Sequence, residues 1–67
     1  MRVELVDARR PVDEVNAEAM RLTQEGFALT GQNDYTLVYN KPESPEEAQV
    51  VVELHNKHME YVRSVTK

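Results

Sequence analysis

The sequence predicts a small α+β domain with the element order strand, helix, strand, strand, helix. Three stretches alternate apolar and polar residues as half-buried strands do, two longer stretches repeat apolar residues at helical spacing, and turn-forming residues separate them. The 67 residues suffice for one domain. We expect residues 1–42 to form a βαββ unit with a three-stranded antiparallel sheet and one crossover helix, and 44–66 to form a long oligomerisation helix.

A strand and a helix open the chain. Residues 1–5 alternate, so we expect their odd-numbered, apolar side chains on the half-buried face. Pro11 suits the first turn of a helix, where its missing N–H costs nothing, and the apolar spacing predicts a helix over 12–25. Gly26 is placed to end that helix, because glycine adopts the left-handed conformation at the least cost.

A hairpin follows the first helix. Residues 27–30 resume the alternation, and residues 35–39 are rich in β-branched and aromatic side chains. Between them, residues 31–34 are types that tolerate positive φ, which predicts the turn there. Pro42 ends the second strand, because proline cannot donate to a ladder.

The last helix has a clear start signal and a wide apolar arc. Ser44 can cap it and Glu47 completes a capping box, so we expect a helix that runs to about Val65. Its apolar residues form two adjacent stripes that cover roughly 200° of the cylinder, about twice the ~100° of an ordinary surface helix. The first stripe is Val51, Leu54, His58, Tyr61 and Val65, and the second is Ala48, Val52, His55, Met59 and Val62.

The width of this arc predicts self-association. A three-stranded sheet that carries one short helix can cover one side of the arc, and a bare apolar stripe would be a large sticky patch on a monomer. We therefore expect a homo-oligomer, most simply a symmetric dimer, with the first stripe as its interface. The alternative is a monomer in which the sheet covers the whole arc.

Composition limits the partners and the compartment. The net charge of −4, from 12 acidic and 8 basic residues, argues against nucleic-acid binding. No apolar run approaches the ~20 residues of a membrane helix, and charges interrupt the first residues, so they lack a signal-peptide core. The absence of cysteine excludes disulfides and thiolate metal sites. We expect a cytoplasmic protein without a cofactor or membrane contact.

Two clusters are candidate sites. His55 and His58 are neighbours on the last helix and could chelate a divalent ion, but no carboxylate lies in phase with them, so we expect structural histidines and no metal. Metal binding and pH sensing are the alternatives. Arg9 and Arg10 precede the first helix, where free N–H groups and guanidinium groups suit a phosphate or carboxylate. The competing interpretation is that these arginines are solvated.

For catalysis the sequence offers little. It has no paired-carboxylate spacing, no Gly-rich phosphate loop and no cysteine, and its serines lie at a helix cap and near the end of the chain. We expect that the protein is not an enzyme.

Residues 1–42 resemble a group of short bacterial and phage proteins. Those proteins have a strand, a helix that ends in Glu-Gly-Trp, and a hairpin whose last strand ends in a basic residue. The matching features here are Glu25-Gly26-Phe27, with phenylalanine in place of tryptophan, and the strand that ends at Lys41 before Pro42. The resemblance implies a βαββ fold and carries no activity with it.

These observations predict a non-catalytic binding or regulatory protein, an inhibitor or adaptor of the kind that phages encode. It would act as a homo-oligomer through its protein surfaces, with another protein as a further partner. One alternative is a protein that binds an anionic small ligand, such as a nucleotide, near Arg9 and Arg10 at a subunit junction. The other alternative is a structural subunit of a larger complex.

Overall fold

A computed structural model describes residues 1–65 and contains five elements in the predicted order. They are strand β1 (Arg2–Asp7), helix α1 (Val12–Gln24), strand β2 (Ala28–Asn33), strand β3 (Thr36–Lys41) and helix α2 (Pro45–Val65). The prediction of an α+β fold with a long last helix is confirmed. The last predicted position of that helix, residue 66, lies outside the described residues.

The three strands form one antiparallel sheet in the order β1-β3-β2. The register of β1 on β3 is unbroken from Arg2↔Lys41 to Asp7↔Thr36. The β2–β3 hairpin contains a bulge between Leu29 and Gly31. Strand β3 is therefore central, and β1 and β2 are the two edges of the sheet.

Helix α1 covers one face of the sheet, and the main core lies beneath it. Val6, Leu22, Phe27 and Tyr39 form this buried cluster. Val6 lies opposite Leu37 in the register, so the even-numbered residues of β1 share this face with the odd-numbered residues of β3. Leu22 is only 1% exposed and anchors the helix to the sheet.

The expectation for the faces of β1 was wrong. The sequence predicted that its odd-numbered side chains are half-buried, yet Val3 and Leu5 are 57% and 62% exposed, and the buried residue is Val6. The reason is the position of the second helix. Helix α2 packs along β2 and reaches β3, so nothing in the described chain covers β1 on that face.

Helix α2 begins as the sequence predicts, with one shift in its capping. The hydroxyl of Ser44 accepts a hydrogen bond from the N–H of Glu47 at 3.2 Å, as in a capping box. The Glu47 carboxylate accepts from the N–H of Glu43 at 2.9 Å, one residue before the cap. Val51 and His58 are the buried residues of the helix.

The two predicted chain reversals have different outcomes. Gly26 has φ of +100° and follows Glu25, the C-cap residue of α1, which confirms its role in ending that helix. The hairpin turn was predicted at residues 31–34, but β2 continues to Asn33, which pairs with Thr36. Asp34 supplies the positive φ of the turn, at +52°. The glycine at 31 instead follows the bulge inside the strand, where a backbone irregularity is typical of this residue.

Candidate functional site

The predicted interface stripe of α2 is divided by the structure. Val51 and His58 are 4% and 8% exposed, because they pack against the sheet of their own chain. Leu54, Tyr61 and Val65 are 39%, 63% and 59% exposed. Only these three can contact a partner, and the interface itself stays a prediction.

The side of α2 that carries Leu54 and Tyr61 is also the side that contacts the start of β1. The Glu47 carboxylate contacts the amino group of Met1, at the start of β1, at 3.1 Å. Leu54 and Tyr61 follow Glu47 at spacings of seven residues, so they lie on the same side of the helix. We call the surface formed by Val3 and Leu5 of β1 with Val50, Leu54 and Tyr61 of α2 the open face. All five side chains are exposed.

The open face continues to the turn of the hairpin. There, a cavity of about 380 Å³ is lined by Gln32, Asp34, Tyr61, Val62 and Val65. Tyr61 therefore borders both the open face and this cavity. The hydrophobic side chains of the cavity come from α2, and its polar ones come from the hairpin.

An ion-pair cluster marks the other end of the open face. The amino group of Met1 lies 2.9 Å from Glu43 and 3.1 Å from Glu47. The hydrogen bonds that this amino group donates to the carboxylates of Glu43 and, second, Glu47 raise its pKa above the usual value. The backbone N–H of Glu43, followed by the Met1 amino group, lowers the pKa of the Glu47 carboxyl. The cluster ties the start of β1 to the first turn of α2.

The two histidines have different surroundings. The Nδ1 atom of His55 lies 2.8 Å from the carbonyl oxygen of Leu29, and since a carbonyl only accepts, this nitrogen carries the proton. The Nε2 atom of His58 is buried, and none of the described residues 1–65 offers it a hydrogen-bond partner. Within residues 1–65, no group of three histidine, aspartate or glutamate side chains could hold a metal ion.

Arg9 and Arg10 are both engaged by carboxylates of the chain. Arg9 forms an ion pair with Asp7 at 3.2 Å, and its guanidinium lies 5.7 Å from the centre of the Tyr35 ring. The hydrogen bonds from Arg9 lower the pKa of the Asp7 carboxyl. Arg10 pairs with Glu14 at 3.5 Å and with Glu18 at 3.2 Å. An anion at this site would have to compete with these carboxylates.

The sequence did not indicate that β1 contributes to the exposed apolar surface. Its alternation is the same whether the apolar residues are buried or bare, because the pattern gives the period and not the identity of the covering element. The position of β1 at an edge, away from α2, depends on the order of strands in the sheet. No local signal encodes that order.

Comparisons with known proteins identify no relative. The chain matches no protein-family model, no curated protein and no solved structure. The resemblance of residues 1–42 to short phage and bacterial proteins therefore stays a prediction. Neither of the described helices has the length and apolar character needed to cross a membrane.

Proposed function

We propose that this chain is a small non-catalytic binding protein that acts as a homo-oligomer through its open face. The observation that carries the proposal is the exposure of large apolar side chains on β1 and on α2, two elements that the ion pair between Met1 and Glu47 joins at one end. Val3 and Leu5 of β1 and Tyr61 of α2 are each more than half exposed. Contiguous apolar patches of this kind mark interaction sites, and they rarely exceed a few hundred Å² on monomers.

The size of the chain supports self-association. A domain of about 60 residues buries only ~60% of the surface that its unfolded chain exposes, so small domains commonly gain core by oligomerisation. A standard interface takes roughly 800 Å² from each partner, about one sixth of the 5063 Å² surface of this chain. The exposed apolar side chains of the open face are the candidate for such an area.

The distribution of charge also favours a protein partner over an anion. Arg9 and Arg10 carry carboxylate partners within the chain. In contrast, no element within residues 1–65 covers the apolar side chains of the open face. An uncovered apolar surface is a better candidate for binding than charges that are already paired.

The proposal is tested by solution mass, measured by light scattering after size exclusion. We expect the wild-type chain to exceed its monomer mass of 7.7 kDa. Leu54→Glu places a charge in the middle of the open face and should lower the mass. Tyr61→Glu is a second variant at a position that is 63% exposed, where the fold tolerates the change more easily.

Met20→Glu is the matched control. Met20 is also 63% exposed, but it lies on α1, away from the open face. It should leave the mass unchanged, and circular dichroism should show the same helix content for all variants. A wild-type monomer at every concentration would refute the homo-oligomer. A mass that falls equally in Met20→Glu would refute the open face as the contact.

A further inference from the structure

The two edges of the sheet differ in whether they are protected from pairing with a strand of another chain. At the β2 edge, a bulge interrupts the ladder between Leu29 and Gly31, and the carbonyl of Leu29 is bonded by the ring of His55. Bulges and covering elements are the usual means by which proteins prevent an edge strand from pairing with another chain. Strand β1 is six residues long without any bulge in its pairing with β3.

The free backbone groups of β1 belong to its odd-numbered residues. The N–H of Ala8 donates to the carbonyl of Tyr35 at 2.6 Å, so the even-numbered residue of this pair bonds towards β3. Hydrogen-bonded and non-hydrogen-bonded pairs alternate along an antiparallel ladder. Val3 and Leu5 therefore direct their N–H and C=O groups outwards, away from the sheet.

Two charged side chains of β1, Arg2 and Glu4, lack partners among the residues that the structure describes, whereas Asp7 is paired with Arg9. Arg2 lies opposite Lys41 in the register, which places two cations side by side, and Glu4 lies opposite Tyr39. Within residues 1–65, neither Arg2 nor Glu4 forms an ion pair or a side-chain hydrogen bond. A row of charges of one sign would repel a second copy of the strand and protect the edge. Arg2 and Glu4 instead carry opposite charges two residues apart on one face, so β1 is complementary in charge to an antiparallel copy of itself.

We propose that β1 pairs antiparallel with β1 of a second copy, about a two-fold axis at Val3, to form a continuous six-stranded sheet. On the face that carries α1, each Arg2 then lies opposite the partner's Glu4. On the other face, the two Val3 side chains meet, and Leu5 lies opposite the partner's Met1. The outward N–H and C=O groups of the two Val3 residues bond to each other.

The charge pattern selects this register against its neighbours. A two-fold axis perpendicular to the sheet keeps each face on its own side, so the pairing can shift only in steps that preserve the faces. Moving the axis by one residue, from Val3 to Arg2, places Arg2 opposite the partner's Arg2. Moving it by one residue the other way, to Glu4, places Glu4 opposite the partner's Glu4. Like charges directly opposite each other destabilise a strand pair, whereas opposite charges stabilise it.

This inference rests on the proposed function only in that the protein is a homo-oligomer. Val3 and Leu5 belong to both contacts, but the edge pairing uses the backbone of β1 and does not involve Leu54 or Tyr61 of α2. The test therefore uses a chain that carries Leu54→Glu, in which the open-face contact is removed. We expect this chain to be a dimer by sedimentation velocity. Arg2→Glu or Glu4→Arg alone should weaken the dimer by roughly ten- to a hundredfold in Kd, because opposite-charge pairs become like-charge pairs.

Recombination of the charges provides the control. The double variant Arg2→Glu/Glu4→Arg restores opposite pairs and should dimerise like its parent. An equimolar mixture of the two single variants should form a heterodimer, since one chain then presents two acidic and the other two basic side chains. Both substituted positions are exposed, so the fold of each monomer should be retained.

Amide hydrogen exchange provides a second measurement. The N–H groups of Val3 and Leu5 should be protected in the dimer and exchange freely when the sample is diluted to monomer. A monomeric Leu54→Glu chain at all concentrations would overturn the edge pairing and leave the open-face proposal standing. A dimer whose Kd is unchanged by both Arg2→Glu and Glu4→Arg would also overturn the edge pairing.

Discussion

Leu22→Ala should destabilise the fold more than any other single truncation on α1. Leu22 is 1% exposed and belongs to the cluster that holds α1 on the sheet. Truncation to alanine removes three carbon atoms, worth about 2.4 kcal/mol at ~0.8 kcal/mol for each buried methylene, and the residual cavity adds to this. We expect a loss of about 3 kcal/mol in the free energy of unfolding.

That loss is large for a domain of this size. At roughly 0.05–0.15 kcal/mol for each residue, 67 residues give a total stability of about 3–10 kcal/mol. For domains of 60–100 residues, 1 kcal/mol shifts Tm by roughly 4–8 °C, so Leu22→Ala should lower Tm by at least about 12 °C. Urea denaturation followed by circular dichroism at 222 nm measures the change directly.

Met20→Ala provides the comparison on the same helix. Met20 is 63% exposed, and its truncation should change stability by less than about 0.5 kcal/mol. The urea series should be run at one protein concentration, since an oligomer gains stability by mass action. A loss below about 1 kcal/mol for Leu22→Ala would refute the assignment of the core.

Two further predictions concern the backbone and the charges. Gly26→Ala should lower the free energy of unfolding by about 1 kcal/mol, because an L side chain is strained at positive φ and φ is +100° there. The new Cβ would meet only Lys41, at an ordinary 3.5 Å. Urea denaturation measures the change, and an unchanged stability would contradict the strain. The pKa values of Asp7 and Glu47 are lowered in the fold, so their contribution is present above the usual values of 3.8 and 4.5 and is lost as pH falls through the lowered ones. The pKa of the Met1 amino group is raised, so its contribution is complete below the usual 8.0 and is lost as pH rises through the raised value. Thermal melts across pH should show both limbs, and acetylation of the amino group should remove the alkaline one.

The sequence predicted the elements well because their signals are local. The helical spacing before Gly26 and the cap at Ser44 depend on residues within a few positions of each other. Both helices begin, and α1 ends, within one or two residues of the prediction. The turn was misplaced because Gly31 and Asp34 both tolerate irregular backbone. Cross-strand pairing decided between them, and no residue type in the turn reports that pairing.

The candidate site was only half visible in the sequence. The width of the apolar arc on α2 indicated that one side would remain uncovered, and Leu54 and Tyr61 are indeed exposed. The sequence did not predict which residues of the stripe would be buried, since the buried Val51 and His58 lie on the same stripe as the exposed residues. The rotation of the helix about its axis is set by its contact with β2. This contact depends on the strand order and not on the helix itself.

His58→Leu should stabilise the protein, although it removes a buried residue of α2. His58 is 8% exposed, and its buried Nε2 atom has no hydrogen-bond partner in the part of the chain that the structure describes. Leaving a buried polar group without a partner costs about 1–3 kcal/mol, and an apolar side chain of similar size avoids this cost. We expect an increase of about 1 kcal/mol in the free energy of unfolding, measured by urea denaturation.

The matched variant is His55→Leu, one turn away on the same helix. It removes the hydrogen bond to the carbonyl of Leu29, so it should lower the stability by about 1 kcal/mol. Equal losses of stability in His55→Leu and His58→Leu would show that packing of the His58 ring stabilises the fold and that its unpaired Nε2 costs little. A gain at His58 together with a loss at His55 would mean that His58 costs stability where it lies. The reason for a histidine at that position would then be sought in the activity of the protein and not in the attachment of α2 to the sheet.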